Sequence, residues 1–174
     1  MTTPAKIGTV ISSTLRPEDL IPAIVNELKR LGIPEDDQAL KDLIRDTEQP
    51  DYFERKQDPL GFLLSEVLDC LANALDNLYA PIYCYFGAHP GDGADFGFWV
   101  QWEVVDAEST TDPSKGDEYP ILKIKAGTKW PETKAHYILE VNDHGNATLY
   151  DRREKEVIWS VVYRLRFLPA SQSR

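Results

Sequence analysis

Apolar residues recur at helical spacing in the first part of the chain and alternate with polar or small residues downstream of Pro81. Leu20, Ile21, Ile24, Val25, Leu28 and Leu31 form one stripe, which predicts an amphipathic helix. Pro17 suits its first turn, and Gly32 is a natural stop. Glu18 and Asp19 fall at the positive end of its dipole, Lys29 and Arg30 at the negative end. Pro22 predicts a later start or a bend. Pro34 opens a second, weaker helix carrying Leu40, Leu43 and Ile44. The clearest helix runs from about Asp58 to Leu78. Asp58 caps it, Pro59 takes its first turn, and Leu60, Leu64, Val67, Leu68, Leu71, Leu75 and Leu78 share a face. Between these helices, Gln49 to Gln57 is polar and reads as a loop.

Downstream, Phe96, Phe98, Val100, Trp102 and Val104 alternate with Gly97, Trp99, Gln101 and Glu103, the pattern of a strand covered on one face. Tyr137, Leu139 and Val141 alternate in the same way with His136, Ile138 and Glu140. A turn at Asn142 to Asn146 follows, and then a short strand around Thr148 to Tyr150. A last strand carries Val157, Trp159, Val161, Tyr163, Leu165 and Phe167. Asp106 to Tyr119 reads as a long solvated loop. Of the 18 aromatic residues, 14 follow Pro81, as suits a sheet. The expected architecture is α+β in a single domain over 1–174. Its helical part spans about 1–80, and a sheet part at about 81–168 forms an antiparallel meander of five or six strands with one face on the long helix. Segregated helices and strands exclude a doubly wound parallel sheet, and with it the usual nucleotide-binding scaffolds.

Composition narrows the function classes. The chain carries 29 acidic and 19 basic side chains, a net charge of −10, which argues against direct nucleic-acid binding. No apolar run of about 18 residues predicts a membrane span. The first residues lack the apolar core of a signal peptide, so the cytoplasm is the expected compartment. Cys70 and Cys84 fall in apolar runs and predict two buried, reduced thiols without a redox role. No cofactor is implied.

One segment has a chemical look. Phe86 to Gly97 joins two apolar runs and holds Gly87, Gly91, Gly93 and Gly97. It lacks the glycine spacing of a dinucleotide loop and the Gly-Lys-Ser/Thr of a phosphate loop. A strand-to-strand turn is its simplest reading. A tight turn could instead aim His89, Asp92 and Asp95 at one metal ion, for a metal-dependent hydrolase. Gly87-Ala88-His89-Pro90-Gly91-Asp92 resembles the Ala-His-Pro-Asp-Asp segment of zinc-dependent N-acetylglucosamine deacetylases. On that resemblance His89 and Asp92 would bind zinc. Gly91 stands where the family has its general base, and the family's later His-x-x-His is missing. His136 and His144 are read as structural histidines.

A broader resemblance rests on three strings: His89 to Trp99, Arg16 to Pro22 and Asn142 to Asn146. They resemble segments of short proteins of unassigned activity encoded in bacterial and phage genomes. The resemblance implies a mobile-element or accessory setting, and no reaction.

Through Ala80 the chain has 15 acidic and 8 basic residues, so most of the negative charge belongs to the helical part. Glu35, Asp36, Asp37, Asp42, Asp46, Glu48, Asp51 and Glu54 concentrate there. The expected function is a non-enzymatic, acidic protein-binding module, an inhibitor or regulator of a basic, nucleic-acid-binding protein. Trp99 and Trp130 are candidate aromatic anchors. A homodimer is compatible with this reading.

Overall fold

The computed structural model describes residues 5–56 and 61–162. The protein is α+β, with its helices mostly N-terminal and a five-stranded sheet C-terminal. It divides into two compact units, Met1–Val100 and Gln101–Arg174. The boundary falls later than the helix-to-strand change because the first hairpin belongs to the helices. Phe86 and Phe98, on its two strands, are part of the helical core.

In the first unit, β1 (Gly8–Ile11) precedes α1 (Pro17–Leu31), α2 (Gln38–Thr47), α3 (Tyr52–Arg55) and α4 (Phe62–Tyr79). The hairpin β2 (Cys84–His89) and β3 (Asp92–Val100) follows. The six residues of the first stripe are all buried on α1, and the Gly32 N–H closes the helix on the Leu28 carbonyl at 3.0 Å with φ of 100°. Pro22 lies inside α1 at an exposed position, off the buried stripe. The second helix starts at Gln38 rather than Pro34, because Asp37 caps it by accepting the Leu40 N–H at 2.9 Å. Asp58, Pro59 and Leu60 lie outside the described residues. The described part of α4 begins at Phe62, and Leu64, Leu71 and Leu75 are its buried residues. Leu78, assigned to that buried face by its spacing, is 45% exposed.

The Gln49 to Gln57 segment is not a plain loop. It contains α3, whose Tyr52 is fully buried against the core. Its ring meets Phe53 edge-on at 5.2 Å, and the Lys56 ammonium lies 5.9 Å from its centroid. The three strands form a sheet in the order β1-β3-β2, antiparallel throughout.

The second unit opens with α5 (Trp102–Ala107), followed by β4 (Ser109–Thr110), a 3-10 turn at Pro113–Lys115, β5 (Ile121–Lys125), β6 (Tyr137–Val141), β7 (Asn146–Asp151) and β8 (Val157–Val162). Trp102 and Val104, expected in a strand, are helical; Val105 is the buried residue of α5 and Val104 is exposed. The sheet order is β4-β5-β6-β7-β8, and only its second half is the expected meander. Strands β4, β5 and β6 run parallel. Ile121, Leu122, Ile138 and Leu139 are all buried, so adjacent residues on both faces of β5 and β6 are covered, as parallel strands require. Ile138 and Leu122 share a small core with Ala135, against which Trp130 and Tyr150 pack. Trp159 is buried on β8, whereas Tyr163, Leu165 and Phe167 lie outside the described residues. No described helix is long and apolar enough to cross a membrane.

Candidate functional site

The acidic residues of the first unit divide into bound and free groups. Asp37 is spent as the α2 cap. Asp42 pairs with Arg45 one turn along the same helix. Asp46 on α2 takes Arg55 of α3 at 3.0 Å and Lys56 at 3.7 Å, and Asp51 takes Arg55 at 3.1 Å. Glu48 accepts Lys29 of α1. The Arg55 guanidinium holds the Asp46 carboxyl below its ordinary range. These pairs stitch α1, α2 and α3 together, and each contributes little because all are solvent-accessible.

Glu35, Asp36 and Glu54 differ: all three are exposed and make no ion pair among the described residues. Two exposed carboxylates on α4 that the reading of the sequence passed over, Glu66 and Asp69, share that condition. Placing the boundary at Val100 also sharpens the charge distribution. The first unit holds 17 acidic and 8 basic side chains, a net of −9, leaving −1 for the second.

The glycine-rich loop is a hairpin turn. His89 and Asp92 face each other in register at the end of β2 and β3, with Pro90 and Gly91 between them. The His89 Nδ1 accepts the Gly91 N–H at 3.0 Å, and its ring meets Trp99 edge-on at 4.6 Å. Asp92 Oδ1 accepts the Ala94 N–H at 3.1 Å, and Asp95 Oδ2 accepts the Thr9 hydroxyl of β1 at 3.1 Å. One acceptor atom of each side chain is thus used by the turn's own backbone or by β1, while the second Asp95 oxygen, Oδ1, is buried without a hydrogen-bond partner among the described residues. Among the described residues no three His, Cys, Asp or Glu side chains are grouped to hold a metal ion, so His89, Asp92 and Asp95 do not form the ligand set the spacing allowed. His136 and His144 are exposed in the second unit.

The two candidate anchors are committed to structure. The Trp99 indole donates to the Gly87 carbonyl at 2.9 Å, and the Trp130 indole donates to Glu140 at 2.8 Å while its ring meets Tyr150. The thiols separate: Cys84 is buried, and burial pushes it up to about 12, whereas Cys70 is exposed on α4 instead of buried.

The segment read as a solvated loop, Asp106 to Tyr119, instead shapes an open cleft of about 320 Å³ in the second unit. Asp106, Ser109, Thr110, Thr111, Lys115, Tyr119 and Lys123 line it. Its only signal in the sequence is the run of hydroxyl residues from Ser109 to Thr111, which looks like any polar loop. Comparison of the chain with protein-family models, with curated proteins and with solved structures found no match.

Proposed function

We propose that the protein is an acidic, non-enzymatic binding module whose first unit docks a basic protein, and that it acts as an inhibitor or regulator of a nucleic-acid-binding partner. The observation that supports this most is the concentration of charge: a net of −9 in the unit that ends at Val100, with Glu35, Asp36 and Glu54 exposed and unpaired among the described residues. A partner that normally neutralises phosphates presents a complementary surface, and such an encounter is steered over roughly a Debye length, about 8–10 Å at physiological salt. The Asp37 cap and the paired carboxylates Asp42, Asp46, Glu48 and Asp51 fix α2 and α3; Glu54 lies on α3, and Glu35 and Asp36 lie in the turn that leads into α2.

Untagged full-length protein, immobilised and exposed to its host's extract, tests the reading. The expected capture is a basic protein that is released by moderate salt, is displaced by added nucleic acid, and fails to bind when Glu35, Asp36 and Glu54 are all changed to Gln. Capture that ignores both salt and the triple change overturns it.

A further inference from the structure

The cleft of the second unit differs from a solvated loop in being held rigid by its own side chains. Ser109 donates to the Val105 carbonyl, Thr110 Oγ1 accepts the Asp112 N–H at 3.1 Å, and Asp112 Oδ1 accepts both the N–H and the hydroxyl of Ser114 at 2.9 and 2.7 Å. The Thr133 hydroxyl donates to the Pro113 carbonyl at 2.9 Å. Gly116 is buried so closely that a Cβ there would come within 2.4 Å of the Ala135 nitrogen. These contacts clamp the 3-10 turn and set Lys115 and Tyr119 at the cleft before any ligand arrives, which lowers the entropy cost of binding.

The lining is rich in donors. Lys115 makes no salt bridge among the described residues, and Asp112 Oδ1 is spent on Ser114. Lys123 pairs with Asp106 at 3.6 Å. Thr110, Thr111 and Tyr119 line the same space, and Asp106 is the one carboxylate residue of the lining. A lining of two lysines, several hydroxyl-bearing residues and one carboxylate suits an oxyanion whose remainder carries hydroxyl groups. The volume lies at the small end of ligand pockets.

We propose that this cleft binds a small phosphomonoester bearing hydroxyl groups. Lys115 and Lys123 hold the phosphate dianion, and Asp106 accepts a hydrogen bond from a ligand hydroxyl. The site lies in the second unit and does not depend on the docking surface of the first.

Amide chemical shifts of the isotope-labelled full chain, followed during titration with inorganic phosphate and with ribose 5-phosphate at low ionic strength, provide the test. Saturable shifts confined to residues 106–123 are expected, with ribose 5-phosphate binding more tightly. Lys115→Glu should weaken both ligands by about tenfold or more, the loss of one charge-assisted contact, and Lys115→Arg should retain them. Asp106→Asn should remove the preference for the sugar phosphate. Lys115 is exposed, so its replacement leaves the fold intact as a control. Shifts that do not saturate, that chloride reproduces at matched ionic strength, or that survive Lys115→Glu overturn the proposal.

Discussion

Asp76 of α4 accepts the backbone N–H of Phe86 on β2 at 2.7 Å, joining the long helix to the outer strand of the three-stranded sheet. Among the described residues β2 pairs only with β3, so one row of its backbone groups has no strand partner there, and the carboxylate satisfies one donor. Asp76→Ala would leave that N–H without its acceptor. The expected cost is about 1.5–3 kcal/mol in urea unfolding, as for a hydrogen bond to a charged group. Asp76→Asn keeps a carbonyl acceptor and should lose less. An alanine variant as stable as the parent would show that the helix and strand are held by apolar packing alone.

A second prediction concerns the approach of β1 to β3. At Gly97 a Cβ would lie 2.1 Å from the Gly8 carbonyl oxygen and 2.9 Å from the Thr9 Cα. Both obstacles are backbone, so neither can swing away. Gly97→Ala should force β1 off the sheet and cost about 3 kcal/mol or more, the upper end of what overpacking does. Gly93, on the same strand with open space around its Cβ position, should accept Ala with a change within about 0.5 kcal/mol. Paired denaturation curves of the two variants provide the check, and equal losses would contradict the geometry.

These two glycines also show what the sequence could and could not reveal. Gly93 and Gly97 look alike in the string from His89 to Trp99, yet only one lies against another strand, and that strand comes from residues 8–11. Local pattern was sufficient for α1, α4 and the β6-to-β7 hairpin, because burial against one neighbouring layer imprints a period on the residues themselves. It misled at Trp102 and Val104, where a strand-like alternation runs on past Val100 into one short helix. Parallel pairing of β5 with β6 was invisible, since alternation is the same whichever way a neighbour runs. The acidic cluster was legible by composition, but its division into paired and free carboxylates depends on Arg55 of α3 meeting Asp46 of α2. The cleft was illegible because its walls come from a polar loop and from Lys123 on a strand beyond it.

The cysteines give a third prediction. Cys70 is exposed on α4, while Cys84 is buried and its thiol is pushed up to about 12. At pH 8 almost none of the Cys84 population is thiolate, the species that alkylates. Iodoacetamide should therefore add one label to the folded protein, at Cys70, and two after denaturation. Peptide mass spectrometry locates the label; rapid native labelling at Cys84 would show that β2 opens readily.

The helix-stitching ion pair makes stability depend on acid. The Asp46 carboxyl is held below its ordinary range chiefly by its hydrogen bond to Arg55, with the Arg55 and Lys56 charges adding to the effect. A group that binds its proton less readily when folded stabilises the fold at pH values above its unfolded pKa. That contribution is lost as the pH falls through its lowered folded value, below the usual carboxylate range near pH 4. Protonation also frees Arg55 from one of its two carboxylates, leaving Asp51. Because the pair is exposed, the effect should stay below about 1 kcal/mol and shrink with added salt. Urea midpoints at pH 7 and pH 3 should differ less in Asp46→Asn than in the parent. At pH 3 the two proteins should approach one another. If Asp46→Asn lost as much stability as the parent between these pH values, the acid response would have to arise at other carboxylates.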